Sequence, residues 1–133
     1  MNKNTKLIFN KKLLQTAVKI NVSAAIEEDL KNIDKTSDIL PTKTKGVAKI
    51  KAKQVAILCG SPWVNYCFNQ IDKNIRIVWH FNEGSKIKTG DKICTISGNY
   101  NHILMGERIA INFLQTLSGT ASTSNLMNLK IRR

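Results

Sequence analysis

The sequence predicts an α+β fold in which helices lie on a small sheet, and three stretches carry that expectation. From Gly46 onward, Ala48, Ile50 and Ala52 alternate with Lys49, Lys51 and Lys53, the period of a strand with one dry face and one wet face. Val64, Cys67, Phe68 and Ile71 recur at i, i+3, i+4 and i+7, the stripe of a helix that needs an apolar surface to lie on. Along Met105 to Ser122, joined by Ile103 just before it, Ala110, Leu114 and Leu117 form an apolar face. Arg108, Asn112 and Gln115 fall on a polar stripe at i, i+4 and i+7. The polar side presents a guanidinium and amides, with Gly106 and Gly119 leaving room for close backbone approach. It reads as one wall of a polar site.

The bulk numbers narrow the class. At 133 residues the chain has the length of one domain, and a 42% apolar fraction argues against wholesale disorder. No run approaches the roughly 18 apolar residues of a membrane span. The basic N-terminus is interrupted by Lys11, Lys12 and Lys19, so no secretory hydrophobic region is read there, and the expected location is cytoplasmic. The three cysteines, Cys59, Cys67 and Cys94, have no metal-ligand spacing and read as reduced thiols packed in a core. A formal charge of +12 raises nucleic acid as a partner. The charge is nearly all lysine, spread along the chain, and Lys, Ile and Asn are over-used together, as A- and T-rich codons encode. With no helix-turn-helix, zinc-finger or aromatic stacking motif beside it, no nucleic-acid or membrane partner is expected, and anionic small molecules are.

In chain order, residues 1–20 read as a basic amphipathic helix with Leu7, Leu14, Ala17 and Val18 on one side. Ser23 is an N-cap candidate for a second helix through Leu30, whose Glu27, Glu28 and Asp29 sit where the helix dipole disfavours acids. They read as a solvated helix end before an Asx-type turn. Val55 to Cys59 is a short buried strand ending at Gly60, and Ser61-Pro62 starts the next helix as N-cap and first-turn proline. Ile75 to Phe81 alternates as a strand, with Ile75, Ile77, Trp79 and Phe81 on one side. His80, on the other, has no carboxylate or hydroxyl partner in view and reads as ordinary. Asn82-Glu83-Gly84 and Thr89-Gly90-Asp91 are turns around Ser85 to Lys88, and Lys92 to Ser97 is a further strand. Asn125 to Arg133 reads as the beginning of a helix. The resulting division is an N-terminal amphipathic helix at 1–22, a mixed α and β domain at 23–101, and a linking helix with the truncated start of a further domain at 102–133.

One stretch also resembles a family signature. Glu107-Arg108-x-Ala110-x-Asn112-Phe113-x-Gln115-x-Leu117-Ser118-Gly119-x-Ala121 is similar to the linking helix of the quinolinate phosphoribosyltransferases, also called nicotinate-nucleotide pyrophosphorylases (carboxylating). Glu28-Asp29-Leu30, then Asp34, Thr36 and Leu40-Pro41, resemble that family's E-D-L and D-x-T segments, with Lys31, Asn32 and Ile33 where glycines usually sit. The resemblance runs from about Ser23 to Ala121. It implies an N-terminal α/β sandwich domain, the Arg108 helix, and a C-terminal α/β barrel that carries most of the active site and is missing here.

The implied reaction joins quinolinate and phosphoribosyl pyrophosphate, with Mg²⁺ assisting, to give nicotinate mononucleotide, CO₂ and pyrophosphate in NAD biosynthesis. Arg108 matches the family's arginine that reaches quinolinate carboxylates in the partner subunit of a homodimer, and a planar guanidinium suits a carboxylate bidentately. The plain alternative pairs Arg108 with Glu83 or Glu107 on a surface. Glu107, Asn112 and Ser118 match the motif in supporting, orienting roles. The family's basic segment, its His and Lys substrate ligands and its metal ligands belong to the barrel and have no counterparts in this chain. The residues leave three readings open: a truncated enzyme inactive alone, a split enzyme whose separate barrel polypeptide receives Arg108 in trans, and a lipoyl- or biotinyl-like carrier sandwich suggested by the Gly84 and Gly90 turns. The carrier reading lacks an exposed Met-Lys hairpin.

Overall fold

The structure is a computed structural model that describes residues 3–31, 44–118 and 127–132. Among them are three helices and six strands in the order α1 (Lys3–Lys31), β1 (Lys45–Ala52), β2 (Ala56–Ile57), α2 (Ser61–Ile71), β3 (Arg76–Trp79), β4 (Lys86–Ile87), β5 (Lys92–Asn99), α3 (Tyr100–Leu117) and β6 (Met127–Arg132). The segments with Asp34, Thr36, Leu40 and Pro41, and with Gly119, Ala121 and Ser122, lie outside the described residues.

Alternation builds the main sheet. β1 buries Gly46, Ala48, Ile50 and Ala52 and turns Lys45, Val47 and Lys49 outward. It pairs antiparallel with β5, Ala48 opposite Ile96 and Ile50 opposite Cys94, and β5 pairs antiparallel with β3, giving the order β3-β5-β1-β6. β2 and β4 form a separate two-stranded ladder. Ile75, Ile77, Trp79 and Phe81 pack against the core as their alternation predicts. His80 does have a hydroxyl partner: its Nε2 lies 2.9 Å from Thr95 Oγ1 on the exposed side.

α2 and α3 cover one face of this sheet. Leu58, Val64, Phe68, Ile103, Ala110 and Leu114 join Ala48, Ile50, Ile93 and Ile96 in one buried cluster. The carrier-type sandwich needs a second sheet at this place, and helices occupy it. α1 lies on the far side of the helices, where Val18 and Val22 meet Cys67 of α2 and Ile109 of α3 in a second, smaller cluster. Gly106 sets the spacing between α2 and α3. A Cβ there would stand 2.5 Å from Phe68 Cε1 and 3.1 Å from Ile71 Cδ1, so only glycine lets the two helices approach this closely.

Three expectations change. The two N-terminal helices are one: α1 runs unbroken through Ser23, because nothing between Lys19 and Ala24 breaks a helix and Val18 and Val22 share one buried face. The strand expected at Val55 to Cys59 shrinks to Ala56–Ile57, with Val55 and Ile57 both exposed. The helix expected after Asn125 is the strand β6, antiparallel to β1 with Met127 opposite Ala52, Leu129 opposite Ile50 and Ile131 opposite Ala48. Its sequence, Met-Asn-Leu-Lys-Ile-Arg, alternates with period two and gains six residues of ladder from a strand edge that would otherwise stand open.

Candidate functional site

α3 begins where Asn99 accepts a hydrogen bond from the His102 backbone N–H at 3.2 Å and runs for 18 residues. Its buried side holds Ile103, Gly106, Ala110 and Leu114, which fixes the rotation of the helix and turns Arg108 and Asn112 to solvent. Its end is tied down by Ser118, which is 3% exposed. The Ser118 hydroxyl accepts from Cys59 N–H at 2.8 Å and donates to Cys59 C=O at 2.7 Å, locking the helix terminus to the loop before α2. Ser118 is therefore held away from solvent in a structural strap.

The start of α2 differs from its sequence reading. Gly60, at φ 120°, is the cap residue and has no side chain to offer, so Ser61 becomes the first residue of the helix. Glu83 supplies the cap from the turn after β3. Its carboxylate accepts from Gly60 N–H at 2.8 Å and from Ser61 N–H at 3.2 Å, and also from the Ser61 hydroxyl. A carboxylate is favoured at this end of a helix because the exposed N–H groups make it locally positive. Glu83 is thereby engaged, and the surface pairing of Arg108 with Glu83 does not form.

Among the described residues the ion pairs are Lys31–Glu27, 4.0 Å, and His102–Asp72, 2.7 Å. Arg108 is in neither. It borders a cleft of about 410 Å³ between α1 and α3, which Asn112 shares. Trp63, Phe113 and Thr116 line it from α2 and α3, and Asn21, Glu28 and Asp29 from α1. The structure thus brings together Arg108 and Asn112, and leaves Ser118 and Glu107 outside that lining. Glu107 is half-buried, and burial raises its carboxyl above the usual carboxylate range. The α1 residues were the hardest to foresee, because their meeting with Arg108 depends on how α1 crosses α3. Glu28 and Asp29, expected to be a solvated helix end, are its acidic wall.

Other reactive groups are quiet. Burial pushes the Cys67 and Cys94 thiols up to about 12, and burial together with the Glu83 charge raises Cys59, so all three favour the protonated form. Hydrogen bonds from His102 and the Asn74 backbone hold the Asp72 carboxyl below its ordinary value. Among the described residues no cluster of three or more His, Cys, Asp or Glu is gathered as a metal site. No described helix is long and apolar enough to cross a membrane.

Known proteins share this arrangement. The family model described as "Quinolinate phosphoribosyl transferase, N-terminal domain" matches residues 34–118. A mitochondrial quinolinate phosphoribosyltransferase [decarboxylating] 2a of Nicotiana tabacum is 29% identical over 105 residues, covering 77% of this chain and 30% of that protein. A nicotinate-nucleotide pyrophosphorylase [carboxylating] of Rattus norvegicus is 36% identical over 77 residues, covering 58% of this chain and 25% of its own length. The solved structure of the nicotinate-nucleotide pyrophosphorylase from Francisella tularensis superposes with a TM-score of 0.71 at 31% identity, covering 76% of this chain and 36% of that one. The chain therefore spans about a third of the length of the relatives it matches. With its open-faced sheet, its covering helices and the α3 stripe all inside or adjoining the matched span, the chain belongs to the quinolinate phosphoribosyl transferase N-terminal domain family.

Proposed function

We propose that this domain serves the transfer of a phosphoribosyl group to quinolinate in NAD biosynthesis, presenting Arg108 to a quinolinate carboxylate while an α/β barrel supplies the rest of the site. The observation that carries this reading is the placement of Arg108: exposed, outside every ion pair among the described residues, and fixed in direction by the buried side of α3. Two N–H groups of its fork match the two oxygens of a carboxylate, an interaction of roughly 1.5–3 kcal/mol when charge-assisted. Asn112, four residues on and in the same cleft, adds an amide donor beside it. Glu107 and Ser118 support the helix rather than the ligand, one half-buried and one in the strap to Cys59.

The reaction itself asks for more than one cation. Departure of pyrophosphate builds positive charge on the ribose and negative charge on the leaving group, which positioned Arg and Lys side chains and Mg²⁺ stabilise. The described residues do not fit a Mg²⁺ site, since no donor cluster is gathered among them. In this reading Mg²⁺, phosphoribosyl pyrophosphate and most quinolinate contacts belong to the barrel, joined to this domain in a homodimer or supplied by a separate polypeptide.

The test is quinolinate-dependent release of pyrophosphate. These 133 residues alone are expected to release none, and addition of a relative's purified barrel is expected to restore turnover that falls by orders of magnitude with Arg108→Ala. Turnover by the chain alone, or a mixed system indifferent to Arg108→Ala, overturns the assignment.

A further inference from the structure

The cleft beside Arg108 carries both signs of charge. Its α3 wall holds the Arg108 guanidinium and the Asn112 amide; its α1 wall holds Glu28 and Asp29. Neither carboxylate lies within 4.0 Å of the guanidinium, so the opposed charges share the space without closing on each other. Trp63 and Phe113 add aromatic side chains to its lining. The Trp63 indole N–H is buried and has no acceptor among the described residues.

A flat ring with two carboxylates meets one favourable wall here and one repulsive wall. A flat ring with one carboxylate and one positive charge meets two favourable walls. We propose that this cleft selects an aromatic zwitterion, its carboxylate toward Arg108 and its cationic ring toward Glu28 and Asp29, over a pyridine dicarboxylate. Glu28 and Asp29 are then the residues that set the preference. The inference rests on the reading of Arg108 above and extends it to the opposite wall.

That preference has a direction in the proposed reaction. The pyridine nitrogen's lone pair forms the bond to the ribose carbon as the bond to pyrophosphate breaks and takes its electron pair away. Loss of CO₂ then leaves an electron pair on the ring carbon, which takes a proton from water. The ring passes from a dianion to a pyridinium carboxylate, and an anionic wall favours the later state.

Calorimetric titration of the 133-residue chain with N-methylnicotinate, a zwitterion, and with quinolinate, a dianion, tests this directly. N-methylnicotinate is expected to bind about tenfold more tightly, about 1.4 kcal/mol. In Glu28→Gln/Asp29→Asn the preference is expected to reverse, and in Arg108→Ala both ligands are expected to be lost. If the double variant does not fold by circular dichroism, Glu28→Gln alone, at an exposed position, is expected to lower the ratio about threefold. An unchanged ratio in the folded acid variant overturns the inference, as does equal or tighter binding of quinolinate by the unmodified chain, or no binding of either ligand. Quinolinate binding that is preferred, yet lost with Arg108→Ala, would sink this inference alone. Binding indifferent to Arg108→Ala sinks the Arg108 assignment with it.

Discussion

The two sides of α3 are built to different rules. Toward the sheet, Ile103, Ala110 and Leu114 are fully buried in one cluster with Phe68, Ile50 and Ile96, and Gly106 gives up its side chain so that Phe68 can fit. Toward α1, the packing is thin: Val18, Val22, Cys67 and Ile109 make a small cluster, and beside it the helices part into a cleft with charged walls. The sheet side stores the stability, and the proposed function places the chemistry on the α1 side. Substitutions on the first should unfold the domain and leave nothing to bind, whereas substitutions at the exposed polar residues of the cleft, Arg108, Asn112 and Glu28, should spare the fold.

The largest effect belongs to Phe68→Ala. The ring is 1% exposed and fills the space beside Gly106, between α2 and α3, so its removal leaves a cavity and is expected to cost about 3–5 kcal/mol. Chemical denaturation reads this as a lower midpoint with an unchanged slope. A loss below about 1 kcal/mol would show that α2 and α3 are not held by this contact.

Ser118→Ala comes next and tests the strap at the end of α3. The substitution leaves both Cys59 backbone groups without their hydroxyl partner, at about 1–3 kcal/mol if water cannot replace it. Thermal melting gives the magnitude, and faster hydrogen exchange at Cys59 N–H shows where the strap has opened. An unchanged exchange rate would mean that the hydroxyl is not what holds this loop.

These two sides are unequally legible in the sequence. Periods of 2.0 and 3.6 are local, so β1, α2 and the apolar face of α3 are visible at once, as are the turns at Gly84 and Gly90. β6 carries the same period-two signal in Met127, Leu129 and Ile131. The family resemblance points to a helix there, and the alternation, which the resemblance outweighs in a sequence reading, points to the strand that forms. The Glu83 cap and the Ser118 strap join residues 22 and 59 positions apart, and no local period announces such pairs. Arg108 and Asn112 are legible because they share one helix. Glu28, Asp29 and Trp63 are not, because their place in the cleft depends on how three helices cross.

A smaller effect is expected at the α2 to α3 junction. Asp72 lies 2.7 Å from His102 Nδ1 and its carboxyl is held below the ordinary range, chiefly by that hydrogen bond. A carboxyl whose folded value is depressed adds stability above its unfolded value, near pH 4, and loses it as pH falls through the folded value. Melting temperatures of the parent and Asp72→Asn should therefore differ near neutral pH and converge below about pH 4. A gap that persists to pH 2.5 would assign the effect to packing instead.

Arg108→Ala should move stability least, and for that reason it separates the two sides most sharply. The side chain is exposed, enters no ion pair among the described residues, and sits on a helix where alanine is favourable. The expected change is within about 0.5 kcal/mol in either direction. A structural arginine would behave differently: its loss would leave a buried partner unsatisfied and lower the melting point by several degrees. If Arg108→Ala melts with the parent while the barrel-complemented rate collapses, the guanidinium is held out for a ligand and the fold gains nothing from it. If instead the domain loosens, the charged cleft is part of the scaffold, and the division between the two sides of α3 fails at the residue on which it depends most.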